Sequence, residues 1–221
     1  MFIKKAALLF LVFTSVFGGF SQQGTSIKFD KIDNNKPFVG ALDPDSWNGI
    51  VVYDKNDELF IAIDMDDVVA DFMGYAHYVL AGKTLENGYR FPDNDWKKLK
   101  DNPRLYRDLL LKAGAIELVE WCQNYCQEHN GKLAFLTAMP RKGDVPYAFY
   151  DKVHWANQYF PGIPVFFGPR SADKQNFCKG HNSILIDDRL SNCEDWWNAG
   201  GRAFQYKNWE DCKIWLENEL L

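Results

Sequence analysis

The stretch "FIAIDMDDVVADF", residues 60–72, runs four apolar residues straight into three carboxylates and then turns apolar again. Acidic clusters ordinarily belong to solvent, yet this one sits at the tip of a run with the length and hydrophobicity of a buried strand. In an extended chain a residue and its neighbour two along point the same way, so Asp64 and Asp66 should stand side by side with Met65 buried behind them. Carboxylates this close repel by about 4 kcal/mol at 4 Å and an effective dielectric of about 20. A divalent cation relieves that repulsion, and an oxygen-rich shell suits magnesium.

Downstream, short apolar runs alternate with helical patterns. Residues 115–129 place Ile116, Val119, Cys122 and Cys126 on one stripe, with Gly131 as a stop. "KLAFL" then reads as a strand ending at Thr137, "YDKVHWANQYF" as a helix, and "IPVFFG" as a strand. "SADKQNFCKG" reads as a short helix opened by Ser171 or Asp173. "SILI" is a strand ending at Asp187 and Asp188, "SNCEDWWNAGG" a helix, "RAFQY" a strand and "NWEDCKIWLENEL" a closing helix. This alternation predicts an α/β fold, a Rossmann-like parallel sheet with helices on both faces. In such sheets ligands bind beyond the carboxyl ends of the strands, where Asp64, Asp66, Thr137, Asp187 and Asp188 all fall. Residues 75–111 are too long and too aromatic for a simple crossover. They predict a small helical cap inserted after the first strand-helix unit.

Upstream of this domain, placed at residues 59–221, the chain divides in two. Residues 1–21 carry a Lys4/Lys5 pair followed by an apolar run shorter than the roughly 18 residues a membrane span requires. That order predicts a signal peptide, hence export to a periplasmic or extracellular compartment, with a cytoplasmic location as the alternative. Residues 22–58 read as a polar linker or arm, ending in a β-rich run that could pair with the strand at 59–63 as a hairpin. Five cysteines, an odd number, suit buried or free thiols better than a disulfide framework or a zinc site. A net charge of −5, with no basic stripe beyond one short segment, argues against a nucleic-acid polymer as partner. A small anion remains compatible, because a local field can oppose the overall sign. No stable membrane span is expected, and oligomeric state is not legible.

One capping aspartate before a helix starting near Val69 would explain one of the acids at positions 64 and 66. It does not explain a pair together with a second pair in "LIDDR". The spacing also lacks the glycine and downstream glutamate of an EF-hand. Lys174, with Lys179 as its rival, and Arg141 would each pass for an ordinary exposed cation taken alone.

Taken in order, "DMD" at Asp64 to Asp66, "FLTA" with Thr137, "ADK" with Lys174 and "LIDD" with Asp187 and Asp188 resemble the haloacid dehalogenase-like phosphatases. "DMDDVVADF", "RLYRDLLLKAGAIELVEW", "YDKVHWANQYF" and "ILIDDR" resemble most closely the 5'(3')-deoxyribonucleotidases within them, over roughly residues 59–217. Asp67 stands where many of that family have glycine, and Ala138-Met139 where Ser-Pro is common. The resemblance implies a magnesium-dependent phosphomonoesterase acting on (deoxy)ribonucleoside monophosphates. Asp64 would be its nucleophile and Asp66 its acid and base. Thr137, Lys174 and Arg141 would bind phosphate. Asp64, the main-chain carbonyl of Asp66, Asp187 and Asp188 would hold the metal, and Phe72, Trp96 and Tyr106 would meet the base. The basic run Lys97, Lys98, Lys100, Arg104, Arg107 and Lys112 would either steer the nucleotide or form a solvated face. A broader exported acid phosphatase and a noncatalytic nucleotide- or metal-binding module are the alternative readings.

Overall fold

The computed structural model describes residues 58–85, 90–140, 145–168 and 170–220. The expected signal peptide, nearly all of the arm with its hairpin partner strand, and Arg141 lie outside them. Five strands, β1 (Phe60–Ile63), β2 (Lys132–Ala138), β3 (Val165–Gly168), β4 (Ser183–Asp187) and β5 (Arg202–Gln205), form one sheet in the order β3-β2-β1-β4-β5. Every neighbouring pair is parallel. The chain builds outward from β1 to β3, then recrosses to lay β4 on the other side of β1. That reversal opens a crevice at the carboxyl end of β1, between the tips of β2 and β4.

Six α-helices are described: α1 (Phe72–Val79), α2 (Asp93–Leu99), α3 (Ala115–Glu128), α4 (Ala148–Tyr159), α5 (Leu190–Asn198) and α6 (Trp209–Leu220). Strand alternation splits the core in two. Ile61, Ile63, Phe135, Ile184 and Ile186 face the larger cluster, with Cys122 of α3, Trp155 of α4 and Cys212 of α6. Phe60, Ala62, Ala134, Leu136 and Leu185 face the smaller one, with Cys193 and Trp196 of α5. Both faces are therefore covered, which is why the strands read as unbroken apolar runs. Each of Phe60, Ile61 and Ile63 is almost wholly buried, and each such side chain contributes roughly 1.5–3 kcal/mol. This anchors the start of the acidic segment.

Local details depart from the sequence expectations. The helix after the acidic segment begins at Phe72, not near Val69, because Asp71 caps it by accepting from Gly74 N at 3.0 Å. Before it, Ala70 bridges both Asp66 and Leu111. Asp71 N donates to Leu110 O and Lys112 N to Val69 O, both at 2.9 Å. The inserted segment thus leaves and re-enters the core at one stitched point. On α3, Ile116 is exposed and the buried face is Ala115, Leu118, Val119, Cys122, Tyr125 and Cys126. The chain leaves that helix through Asn130 in a left-handed conformation (φ 55°). Gly131 is instead required by close approach, since a Cβ there would sit 2.7 Å from Leu59 Cδ2. All five cysteines are free, four of them buried. Among the described residues no helix is long and apolar enough to cross a membrane.

Candidate functional site

Asp64 follows the last residue of β1 and Asp187 ends β4; both are buried. Between them reaches Lys174, also buried, with Nζ 2.8 Å from Asp64 Oδ1 and 2.6 Å from Asp187 Oδ2. Lys174 comes from a 3-10 helix, Ser171–Phe177, laid over the tip of β3. Glycine at position 168 permits this, because a Cβ there would lie 3.1 Å from Lys174 N and from Arg170 O. The helix is pinned by Phe177 stacked on Phe166 and by Ser171 Oγ donating to Asn192 Oδ1 at 2.7 Å. Asn192 Nδ2 donates in turn to both oxygens of Asp187, at 2.8 and 2.9 Å, and Arg189 N adds a third bond.

Asp64, Asp187 and Asp188 each offer an oxygen within 4.8 Å of the others. Three carboxylates against one ammonium leave excess negative charge. Burial, then repulsion from Asp187 and Asp66, pushes Asp64 up to about 7 despite the opposing pull of Lys174. Burial, with Asp64, Asp187 and Asp67, pushes Asp188 up to about 8. Burial also works against the Lys174 ammonium, but Asp187 and Asp64 outweigh it and hold that group above its usual range. An oxygen-only, electron-rich cluster of this kind fits a hard divalent cation.

Asp66 does not join that cluster through its side chain. Past Ile63 the chain turns, and Asp66 faces Lys152 on α4, whose Nζ lies 2.8 and 2.7 Å from its two carboxylate oxygens. The same Nζ lies 2.9 Å from Thr137 Oγ1 and 4.4 Å from the ring of Tyr106. The sequence reading gave Lys152 no role. Its one signal was a lysine on the buried face of α4 between Phe149 and Trp155, which looks like an interruption of a packing stripe. Asp67 adopts φ 61°, a left-handed conformation that favours glycine, and is held there as its Oδ1 accepts from Met73 N at 2.7 Å.

These tips open on a cavity of about 1230 Å³ whose lining includes Asp64, Asp66, Lys174 and Asp188 together with Arg90, Phe91, Trp96, Lys100 and Lys112. Thr137 is wholly buried beside it. Of the three expected base contacts only Trp96 lines the cavity. Phe72 and Tyr106 are buried against each other, with ring centroids 6.1 Å apart, behind a wall formed by Phe91 and Trp96. Phe91, like Lys152, is a residue the sequence reading did not single out. The basic run also divides. Lys100 and Lys112 face the cavity, whereas Arg104 pairs with the buried Asp151 at 2.5 Å and Arg107 meets His154. Lys174 bridges the two acids and lines the cavity, whereas Lys179 is not among its lining residues.

Against known proteins, a provisionally named 5'(3')-deoxyribonucleotidase from Staphylococcus epidermidis is 29% identical over 136 residues, spanning 58% of this chain and 70% of that protein. The chain is similar to the haloacid dehalogenase-like hydrolases. Among solved structures, a hydrolase from Streptococcus pneumoniae has a TM-score of 0.47 at 14% identity, covering 72% of this chain and 98% of that one. A haloacid dehalogenase-superfamily hydrolase from Ehrlichia chaffeensis has 0.42 at 14% identity, covering 74% and 99%. No protein-family model matches the chain. The five parallel strands agree with the Rossmann-like fold expected of a haloacid dehalogenase-like hydrolase.

Proposed function

We propose that this chain is a phosphomonoesterase that hydrolyses (deoxy)ribonucleoside monophosphates through an aspartyl-phosphate on Asp64, with magnesium as its cofactor. The observation that carries the reading is the convergence of Asp64, Lys174, Asp187 and Asp188 from three separate stretches of chain, with Asp64, Lys174 and Asp188 lining one cavity and Asp187 buried behind them. A carboxylate oxygen of Asp64 forms a bond to phosphorus as the ester P–O bond breaks, and Asp66 gives its proton to the departing oxygen. Asp66 then takes a proton from water, whose oxygen attacks phosphorus and frees Asp64 and inorganic phosphate. Lys174 sets a fixed positive charge at the cavity edge, where phosphoryl oxygens gather charge in the transition state. Asp64, Asp187 and Asp188, with the main-chain carbonyl of Asp66, would hold magnesium, which neutralises the phosphate dianion against these acids.

Support for a nucleotide comes from the mixed wall of Phe91 and Trp96 with Arg90, Lys100 and Lys112, which offers a ring-stacking surface beside positive charge. It comes as well from the deoxyribonucleotidase-named relative. The test is a panel of deoxyribo- and ribonucleoside 5'- and 3'-monophosphates against simple alkyl and aryl phosphates, with magnesium, following released phosphate. The reading expects marked preference for nucleotides. Uniform turnover of all phosphomonoesters would favour a broad phosphatase, and no turnover of any would favour a binding module.

A further inference from the structure

Lys152 is a buried ammonium that the proposed reaction leaves without a task. Its three protons have three acceptors, the two oxygens of Asp66 and Thr137 Oγ1, at 2.7 to 2.9 Å. The ring of Tyr106, from the inserted segment, lies against it at 4.4 Å. Lys174 lines the cavity, but Lys152 stands behind Asp66 and is not part of the lining. It is 1% exposed, whereas the Asp66 side chain is 30% exposed. Lys152 therefore has no direct path to substrate. A buried ion pair is also a poor device for stability, since apolar residues of similar volume often serve as well.

We propose that Lys152 is a positioning residue that sets Asp66 for proton transfer and fixes the Thr137 hydroxyl with it. Resting on the phosphomonoesterase reading, this deepens it. As phosphoryl transfer begins, the Asp66 oxygen nearer the ester carries the proton and delivers it to the leaving oxygen. Both Asp66 oxygens face Lys152 Nζ, at 2.8 and 2.7 Å, so the carboxylate left when the proton departs is held and stabilised in place. Because Lys152 occupies an acceptor site on Thr137, it also directs the hydroxyl hydrogen away from itself. Contact with Tyr106 ties this pair to the inserted segment, so the proton carrier and the cavity wall share one anchor.

The test separates proton delivery from structure. The ratio kcat/KM reports phosphoryl transfer up to the aspartyl-phosphate, before the common water step. It is measured for the wild type and Lys152→Met with a deoxynucleoside monophosphate, whose leaving oxygen needs a proton, and with p-nitrophenyl phosphate, whose leaving group does not. Lys152→Met is expected to lower kcat/KM roughly 100-fold on the nucleotide and less than about threefold on p-nitrophenyl phosphate, as loss of general acid catalysis would. Should that variant fail to fold, Lys152→Gln, which keeps a donor but loses the charge, is expected to show the same split at smaller size. Equal losses on both substrates, or no loss on either, overturn the inference and leave the phosphomonoesterase reading standing. A wild type inert on both substrates overturns that reading and this inference with it.

Discussion

At the strand tips Asp64, Asp66 and Asp187 are held by partners of opposite charge and by directed hydrogen bonds, whereas the aromatic wall of the cavity is held by rings packed on rings. Asp64 and Asp187 share Lys174, and Asp66 is gripped by Lys152. Phe72, Phe91, Trp96 and Tyr106 instead pack on one another at centroid distances of 5.8 to 6.4 Å, contacts that no single directed bond fixes. The first arrangement is costly to disturb and suits chemistry that needs fixed geometry. The second is adjustable and suits selection among substrates.

The sharpest break of this division is at its polar pole. Asp64→Asn removes the carboxylate proposed to attack phosphorus while keeping shape, and phosphate release is expected to fall by roughly 1000-fold or more. A modest loss would show that the tip geometry does not carry the reaction. Next, Lys174→Met leaves Asp64 and Asp187 buried without their cation and should cost about 3–5 kcal/mol in denaturant unfolding without metal. Added magnesium is expected to recover part of it. An unchanged midpoint would mean that the ion pairs do not hold the tips.

A smaller effect concerns protons. Asp64 and Asp188, pushed up to about 7 and about 8, hold protons more tightly folded than unfolded. The metal-free protein should therefore lose stability as the pH climbs from about 4, the unfolded carboxylate range, through 8. Magnesium competes with the same protons, so its affinity, measured by calorimetry, should weaken up to about tenfold per pH unit below 7 for each proton displaced. Affinity flat between pH 6 and 8 would contradict the crowding of acids at this edge.

The smallest expected effect sharpens the other pole. Trp96→Leu should raise KM for nucleotides about fivefold, roughly 1 kcal/mol of lost ring contact, and leave p-nitrophenyl phosphate nearly unchanged. Phe72→Leu, behind the wall, should instead lower the unfolding midpoint with little change in KM. If both variants moved KM alike, the aromatic wall would not be divided into a lining and a backing.

Much of the polar pole was legible because strand tips are covalent continuations of apolar runs. Asp64, Thr137 and Asp187 sit where "FIAI", "AFL" and "ILI" end, and parallel register brings those ends to one edge. Lys174 was legible only through its order among the motifs, since nothing local distinguishes it from Lys179. Which rings line the cavity was less legible. Phe72 and Tyr106 are aromatic like Phe91, and which ring faces a cavity depends on how the inserted segment folds back.

The amino-acid sequence by itself determined the α/β alternation, the position of each strand and the acids that cap them, because hydrophobic period and side-chain charge are properties of neighbours along the chain. Only the tertiary structure decided that Asp66 turns to Lys152, and that Phe91 joins Trp96 on the cavity wall while Phe72 and Tyr106 lie behind it. Those choices rest on contacts between distant segments, where burial makes a charge seek whichever partner packing brings within reach.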